Sequence, residues 1–304
     1  MITEIEKTNI SAALREYCAQ KGSQNKAANS LDGVSSATIS KMLAGDWELI
    51  NEVMWRSVAA QIGYAKKSWN IVETRNYRAL QTIFADAQEN SLVFAVCGDA
   101  GCGKTVSADS YAGSHRNVYV LSCSEFWNRK LFMQELLKAM GRNPQGDTVG
   151  EMMQTIISDL KRSELPLIII DEADKLSDQV MYFFITLYNS LEDHCGIILM
   201  ATDHLEKKIR RGLRLNKKGY KEIFSRIGRR FITLKDASVP DIVDICAANG
   251  VTDNKTVKMI LDDCDGDFRR VKRKVHAVLK PAPPGCRRSL YQLRIEKRLK
   301  ILYV

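Results

Sequence analysis

The chain has 304 residues, 45% apolar and 27% charged, which is enough for two or three small domains and too apolar for disorder throughout. Its longest aliphatic runs, near Leu167–Ile170 and Ile197–Ala201, are far too short to span a bilayer, and the N-terminus carries Glu4 and Glu6 rather than an apolar signal, so a cytoplasmic protein with no membrane partner is expected. The net charge of +9 is concentrated, because Glu206–Lys235 holds twelve Lys/Arg against two acidic residues and Lys280–Val304 seven against one, which points to an anionic polymer as partner.

Residues 1–63 read as short helices. Within them Gln24–Gly45 reads QNKAANSLDGVSSATISKMLAG. Ala27 and Ala28 stand where a second helix must pack closely, Leu31–Val34 supplies a turn, and Ser35 can cap a helix running to about Leu43. This is a helix-turn-helix pattern, in which Ser36, Ala37, Thr38, Ser40 and Lys41 would face a major groove. Ser36, Thr38 and Lys41 are the candidate DNA contacts. The competing reading is a helical hairpin used for protein contact.

A connecting helical stretch, about Trp69–Gln88, falls in residues 64–90. Residues 91–235 then alternate apolar strands with amphipathic helices, the pattern of an α/β fold with a parallel sheet. The strands are expected at Ser91–Cys97, Asn117–Ser122, Leu167–Ile170, Gly196–Met200 and Arg230–Leu234. Residues 236–280 read as a small helical lid. The segment 281–304 opens with Pro281, Pro283 and Pro284, which break any helix. From Leu290 its apolar and basic spacing suits DNA, an acidic protein or a membrane surface alike, so this basic tail is assigned no role. The eight cysteines form no CxxC pair, which argues against zinc, and their scatter suits a reducing compartment.

Gly98, Asp99, Ala100, Gly101, Cys102, Gly103, Lys104 and Thr105 fit GxxxxGK[ST], with an apolar strand before and a helix-compatible run, Val106–Tyr111, after. Such a loop turns backbone N–H groups around phosphate oxygens and adds the positive end of a helix. ATP with Mg²⁺ is the expected ligand. Lys104 would reach the β- and γ-phosphates and Thr105 the metal. The strand Leu167–Ile170 runs into Asp171 and Glu172, so that Asp171 would hold Mg²⁺ through water and Glu172 would polarise the attacking water. Thr202, or its neighbour Asp203, follows the fourth strand where a polar group can bridge γ-phosphate and water. Arg226, in Phe224–Ile227 (FSRI), is a candidate to act across a subunit interface. Arg269, with Arg270 as fallback, is a candidate nucleotide sensor in the lid.

Together these motifs resemble the AAA+ ATPases: the loop at Gly98, IIIDEAD at Ile168–Asp174, a polar strand end, FSRI, and GDFRR at Gly266–Arg270. The resemblance is closest to transposition ATPases of the MuB type, with kinship to the TnsC and IstB regulators. FAVCGDAGCGKT (Phe94–Thr105), LIIIDEADKL (Leu167–Leu176), GIILMATDH (Gly196–His204) and IFSRIGRR (Ile223–Arg230) carry it. The chain departs from the family at the fourth strand's end, where Thr202 stands in place of the usual Asn.

The resemblance implies an AAA+ P-loop core with a helical lid, preceded by a small all-α DNA-binding domain. It implies a homo-oligomer, as a ring or helical filament, on largely non-specific double-stranded DNA. By it Arg129, Lys130, Lys161 and Arg162 would track phosphates, as in related proteins. The expected function is an ATPase used as an assembly switch, which selects target DNA and activates a transposase. A helicase loader of the DnaC type and an ATP-responsive helix-turn-helix transcription regulator are the rivals. The cationic run Lys207–Lys221 reads as a DNA-side loop or a transposase-docking surface.

Overall fold

The computed structural model describes residues 2–64, 69–144 and 146–280, so the tail from 281 lies outside the described residues. Among the described residues two compact units are present, one running up to residue 69 and again over 73–237, the other of residues 70–72 with 238–280.

In the first unit, four helices open the chain: α1 (Glu4–Lys21), α2 (Gln24–Asn29), α3 (Ser36–Ala44) and α4 (Glu52–Gln61). Thr3, Ser23, Ser35 and Asn51 cap them, each side chain accepting a backbone N–H of the first turn. Their own core is built from Ile10, Leu14, Ala27, Ile39, Met42, Trp55 and Val58. Ala27 is fully buried, as close helix packing requires, and Gly45 at φ 87° closes α3 in a conformation glycine accepts without strain.

The helix α5 (Arg75–Asn90) begins six residues later than the sequence suggests, because Thr74 caps it by accepting from Tyr77 N–H at 3.2 Å. It is not merely a connector. Leu80, Phe84 and Ala87 bury against the sheet. There follow β1 (Val93–Cys97), α6 (Lys104–Ser114), β2 (Val118–Ser122), α7 (Arg129–Ala139), α8 (Val149–Arg162) and β3 (Leu167–Asp171). A 3-10 turn (Ala173–Lys175) leads to α9 (Asp178–Leu191), β4 (Gly196–Ala201), α10 (His204–Arg214), α11 (Tyr220–Arg226) and β5 (Phe231–Thr233).

The five strands are parallel in the order β2-β3-β4-β1-β5. Alternation along each strand sends Ala95, Cys97, Ile168, Ile170, Ile197 and Leu199 to the core shared with α7 to α11. It sends Val96, Ile169, Ile198 and Met200 to the core shared with α5 and α6. The result is helix, sheet and helix in three layers. Gly196 lets α5 approach the start of β4, since a Cβ there would lie 2.2 Å from the Ala87 carbonyl oxygen.

The N-terminal helices attach to the end of α7. Lys138 pairs with Asp32 at 2.6 Å, Lys21 Nζ donates to the Ala139 carbonyl at 3.2 Å, and Asn29 Nδ2 to the Gly141 carbonyl at 3.1 Å. Lys21 and Asn29 thereby satisfy carbonyls where a helix leaves them without partners.

The second unit consists of α12 (Val239–Ala248), α13 (Asn254–Cys264) and α14 (Phe268–Leu279), which pack on one another. Ser238 and Asp241 form a capping box at the start of α12. Asn249 exchanges hydrogen bonds with the Asn70 backbone at 2.9 and 3.1 Å, which attaches the short upstream segment. The seven cysteines among the described residues are buried and unpaired, and no described helix is long and apolar enough to cross a membrane.

Candidate nucleotide site and nucleic-acid surfaces

The Gly98–Thr105 loop leaves the C-terminal edge of β1, where open parallel sheets bind ligands. Gly98 N–H donates to the Ala201 carbonyl of β4 at 3.1 Å. A Cβ on Gly98 would meet Leu234 at 3.0 Å and Cys102 Sγ at 3.1 Å, so the loop closes only around a hydrogen. Cys102 is a buried apolar plug beneath it. Gly101 and Gly103 have φ of 81° and 98°, turns that open the loop's concave side. Lys104 Nζ sits in that mouth, donating to the carbonyls of Gly98 at 2.6 Å and Asp99 at 3.0 Å. Thr105 is exposed in the first turn of α6, where helix N–H groups lack intrahelical partners.

The metal-binding expectation has its own geometry. The Thr105 hydroxyl donates to Asp171 Oδ2 at 2.5 Å, although the residues are 66 apart in sequence. Asp171 ends β3 and is 1% exposed, and the Glu172 N–H donates to its other oxygen at 2.9 Å. A hydroxyl and a buried carboxylate brought together beside a phosphate loop form a hard-oxygen donor set that fits Mg²⁺. Glu172 adopts a left-handed backbone, φ 56°, a strained choice for a non-glycine residue that turns its side chain away from the strand line. Its carboxylate is half exposed and pairs with Lys175 at 2.6 Å.

Thr202 and Asp203 part company. Thr202 Oγ1 donates to Asp174 Oδ2 at 2.9 Å, tying the end of β4 to the turn after Glu172, whereas Asp203 is exposed and pairs with Lys207. Lys208 closes the same turn from α10, donating to the backbone carbonyls of Asp174 and Leu176. Burial lowers its pKa. Asp174 and Lys175 lie within the IIIDEADK run, which by itself gives them no role, whereas Lys208 lies outside every motif; the structure brings all three to the turn after Glu172. The signal for Lys208 was present only as one charge in a cationic run.

Residues 87–209 match the AAA domain family. Two proteins named ATP-dependent target DNA activator B, from Escherichia phage D108 and Escherichia phage Mu, are each 25% identical to the chain over 262 residues, covering 83% of it and 82% of each relative. The Mu-like prophage FluMu DNA transposition protein B of Haemophilus influenzae is 23% identical over 191 residues, covering 62% of this chain and 65% of its own. The chain resembles the MuB-type AAA+ ATPases over most of its length. Among solved structures, Drosophila ORC bound to DNA superposes with a TM-score of 0.47 at 13% identity, over 76% of this chain and 61% of that one.

The remaining candidate residues take distinct positions. Arg226 ends α11 and is held by α9 of the same chain. Its Nη2 donates to Asn189 Oδ1 at 3.0 Å, its guanidinium lies 5.0 Å from the Tyr188 ring centroid, and its Nε is buried without a hydrogen-bond partner among the described residues. Asn189 lies eleven residues along α9 from Asp178, roughly 16 Å, which puts Arg226 far down α9 from the Asp171–Lys175 turn. Arg269 opens α14 in the second unit, exposed, with its backbone N–H capped by Asp267 at 2.7 Å.

The four basic residues expected along DNA do not form one cluster. Arg129 and Lys130 begin α7, just beyond the C-terminal edge of β2. Lys161 and Arg162 end α8, just before β3 enters at the opposite edge. Five-residue strands separate these edges by about 17 Å. Arg142, just past α7, pairs with Asp159 on the last turns of α8, so Lys161 and Arg162 share their edge with the attachment of the N-terminal helices. Arg129 lies 5.8 Å from the Phe183 ring centroid. Trp127 packs partly into the core against Phe132, while Phe126 is exposed.

In the N-terminal helices, Ser35 accepts from Thr38 N–H at 3.1 Å and its hydroxyl contacts Thr38 Oγ1 at 2.9 Å, so Thr38 takes part in the cap. Ser36 and Lys41 are half buried. Ser40 is exposed and donates to Gln24 Oε1 at 2.7 Å.

Proposed function

We propose that the chain is an ATP-dependent DNA-binding protein that assembles on double-stranded DNA, presents that DNA to a transposase and stimulates strand transfer. The observation that carries this reading is the joining of Gly98–Thr105 to Asp171 and Glu172, in a chain similar over 83% of its length to two proteins named target DNA activators.

In this reading Lys104 donates to the phosphates, and Thr105 and Asp171 hold Mg²⁺. The metal, when bound, neutralises charge shared by the β- and γ-phosphates. Glu172 accepts a proton from the attacking water, and Thr202 orients the turn on which Glu172 stands. Arg226 is held at Tyr188 and Asn189, well along α9 from the turn that carries Glu172, which favours action on a neighbour's nucleotide. Arg269 is the candidate nucleotide sensor. ATP then favours the oligomer and hydrolysis dissolves it.

DNA is met by Arg129 and Lys130 at one edge of the sheet and by Lys161 and Arg162 at the other, through phosphates and with little sequence preference. Ser36, Thr38 and Lys41 on α3 add a groove-facing helix. Binding to duplex and single-stranded DNA with and without ATP tests the reading. Diffuse, ATP-dependent duplex coverage supports it. A preference for single strands would indicate a helicase loader, and a footprint confined to one sequence a transcription regulator.

A further inference from the structure

The cations of α10, the loop after it and the start of α11 divide by environment. Lys207 pairs with Asp203, Arg210 with Glu206 at 2.6 Å, and Lys217 with Asp178 at 2.9 Å. Lys208 turns inward onto the Asp174 and Leu176 carbonyls. Arg211, Arg214, Lys218 and Lys221 are exposed, and none has an acidic partner among the described residues. Across Glu206–Lys235 the one large exposed apolar side chain is Leu215. Protein docking surfaces are anchored by aromatic and aliphatic groups that become buried, whereas a phosphate backbone is met by cations alone.

We propose that Arg211, Arg214, Lys218 and Lys221 form a binding surface for the phosphate backbone of duplex DNA, and that Lys208 links this surface to the turn that carries Glu172. The inference rests on the ATP-dependent DNA-binding reading and names a site for it. The link is physical. Lys208 and Arg211 are three residues apart on one helix, so they lie on neighbouring turns of a stiff element. At the other end, the turn after Glu172 has two anchors, Thr202 from the end of β4 and Lys208 from α10. Thr202 also accepts the His204 and Leu205 N–H groups that open α10, at 3.4 and 3.2 Å, so displacement of α10 by bound phosphates reaches the turn through both anchors. That changes where Glu172 stands without touching Gly98–Thr105. Lys208 acts as a positioning residue.

The test uses the full chain, duplex DNA of random sequence, and ATP. The variant R211A/R214A/K218A/K221A is expected to bind duplex about 10- to 100-fold more weakly, with the slope of log K against log salt reduced by about 3 to 4. Lys208→Met is expected to bind duplex with little change, yet to lose the effect of DNA on kcat for ATP hydrolysis while KM for ATP stays put. Lys208→Arg, which keeps the charge and the donors, restores part of that effect and guards against a folding defect in the methionine variant.

An unchanged affinity and salt slope in the four-residue variant overturns the surface. If that variant binds DNA normally but no longer stimulates a transposase, the surface serves a protein and the proposal is wrong. Equal DNA effects on kcat in wild type and Lys208→Met overturn the link. If wild type itself shows no ATP-dependent duplex binding, it is the underlying functional reading that fails.

Discussion

Thr105 and Asp171 meet through a 2.5 Å hydrogen bond from hydroxyl to carboxylate, across the space between the start of α6 and the end of β3. The two motifs that name a phosphate site in the sequence are thus one site in the fold. Asp171→Asn is expected to keep Mg²⁺-independent nucleotide affinity and to lose about tenfold or more of the Mg²⁺-dependent part. Titration of a fluorescent ATP analogue with Mg²⁺ and with EDTA reads both. Equal Mg²⁺ dependence in wild type and variant would remove Asp171 from the metal site.

Glu172 stands in a left-handed backbone with its carboxylate on Lys175. Glu172→Gln keeps the shape and removes the base. Hydrolysis is expected to fall by about 10² to 10⁴, the usual worth of a positioned general base, with ATP affinity retained. DNA complexes formed with ATP should then outlast those of wild type. Retention of normal turnover in Glu172→Gln would take the base role away from this residue.

Arg226 is fastened to Tyr188 and Asn189, far along α9 from the nucleotide motifs. A role across subunits makes a mixing prediction. Arg226→Ala and Glu172→Gln should each be nearly inactive alone. An equal mixture should recover about a quarter of wild-type hydrolysis, because one in four random head-to-tail interfaces pairs an intact Glu172 with an intact Arg226. No recovery on mixing would argue against action between subunits.

Gly196 sets the distance between α5 and the sheet. Gly196→Ala forces a methyl group onto the Ala87 carbonyl, where backbone cannot yield cheaply. A loss of about 2–3 kcal/mol is expected from overpacking at such a contact. Thermal melting of the variant measures it, and a Tm within one degree of wild type would contradict the close approach.

Much of this was legible in the sequence. The strand runs and GxxxxGKT announce themselves because a buried parallel strand must be aliphatic and a phosphate loop must be glycine-rich. Ser35 as a cap and Ala27 as a packing point were readable for the same kind of local reason. What stayed hidden depends on placement. Thr74 decides where α5 starts, and only the packed sheet shows that Leu80 and Phe84 make α5 part of the core. Charge counting could not separate Lys208, turned onto the Asp174 turn, from Arg211, turned to solvent. Nor could it tell that Arg129 and Lys161 stand at opposite edges of the sheet, since that follows from which end of a strand each helix adjoins.

The central claim is that the Gly98–Thr105 loop works as an assembly switch on DNA. Sedimentation of the protein on duplex DNA, with and without ATP, tests it most directly in wild type and Lys104→Ala. The account predicts large ATP-dependent complexes for wild type and none for Lys104→Ala, whose loop has lost the ammonium held between the Gly98 and Asp99 carbonyls. Equal assembly of the two proteins, or assembly of wild type indifferent to ATP, would contradict it.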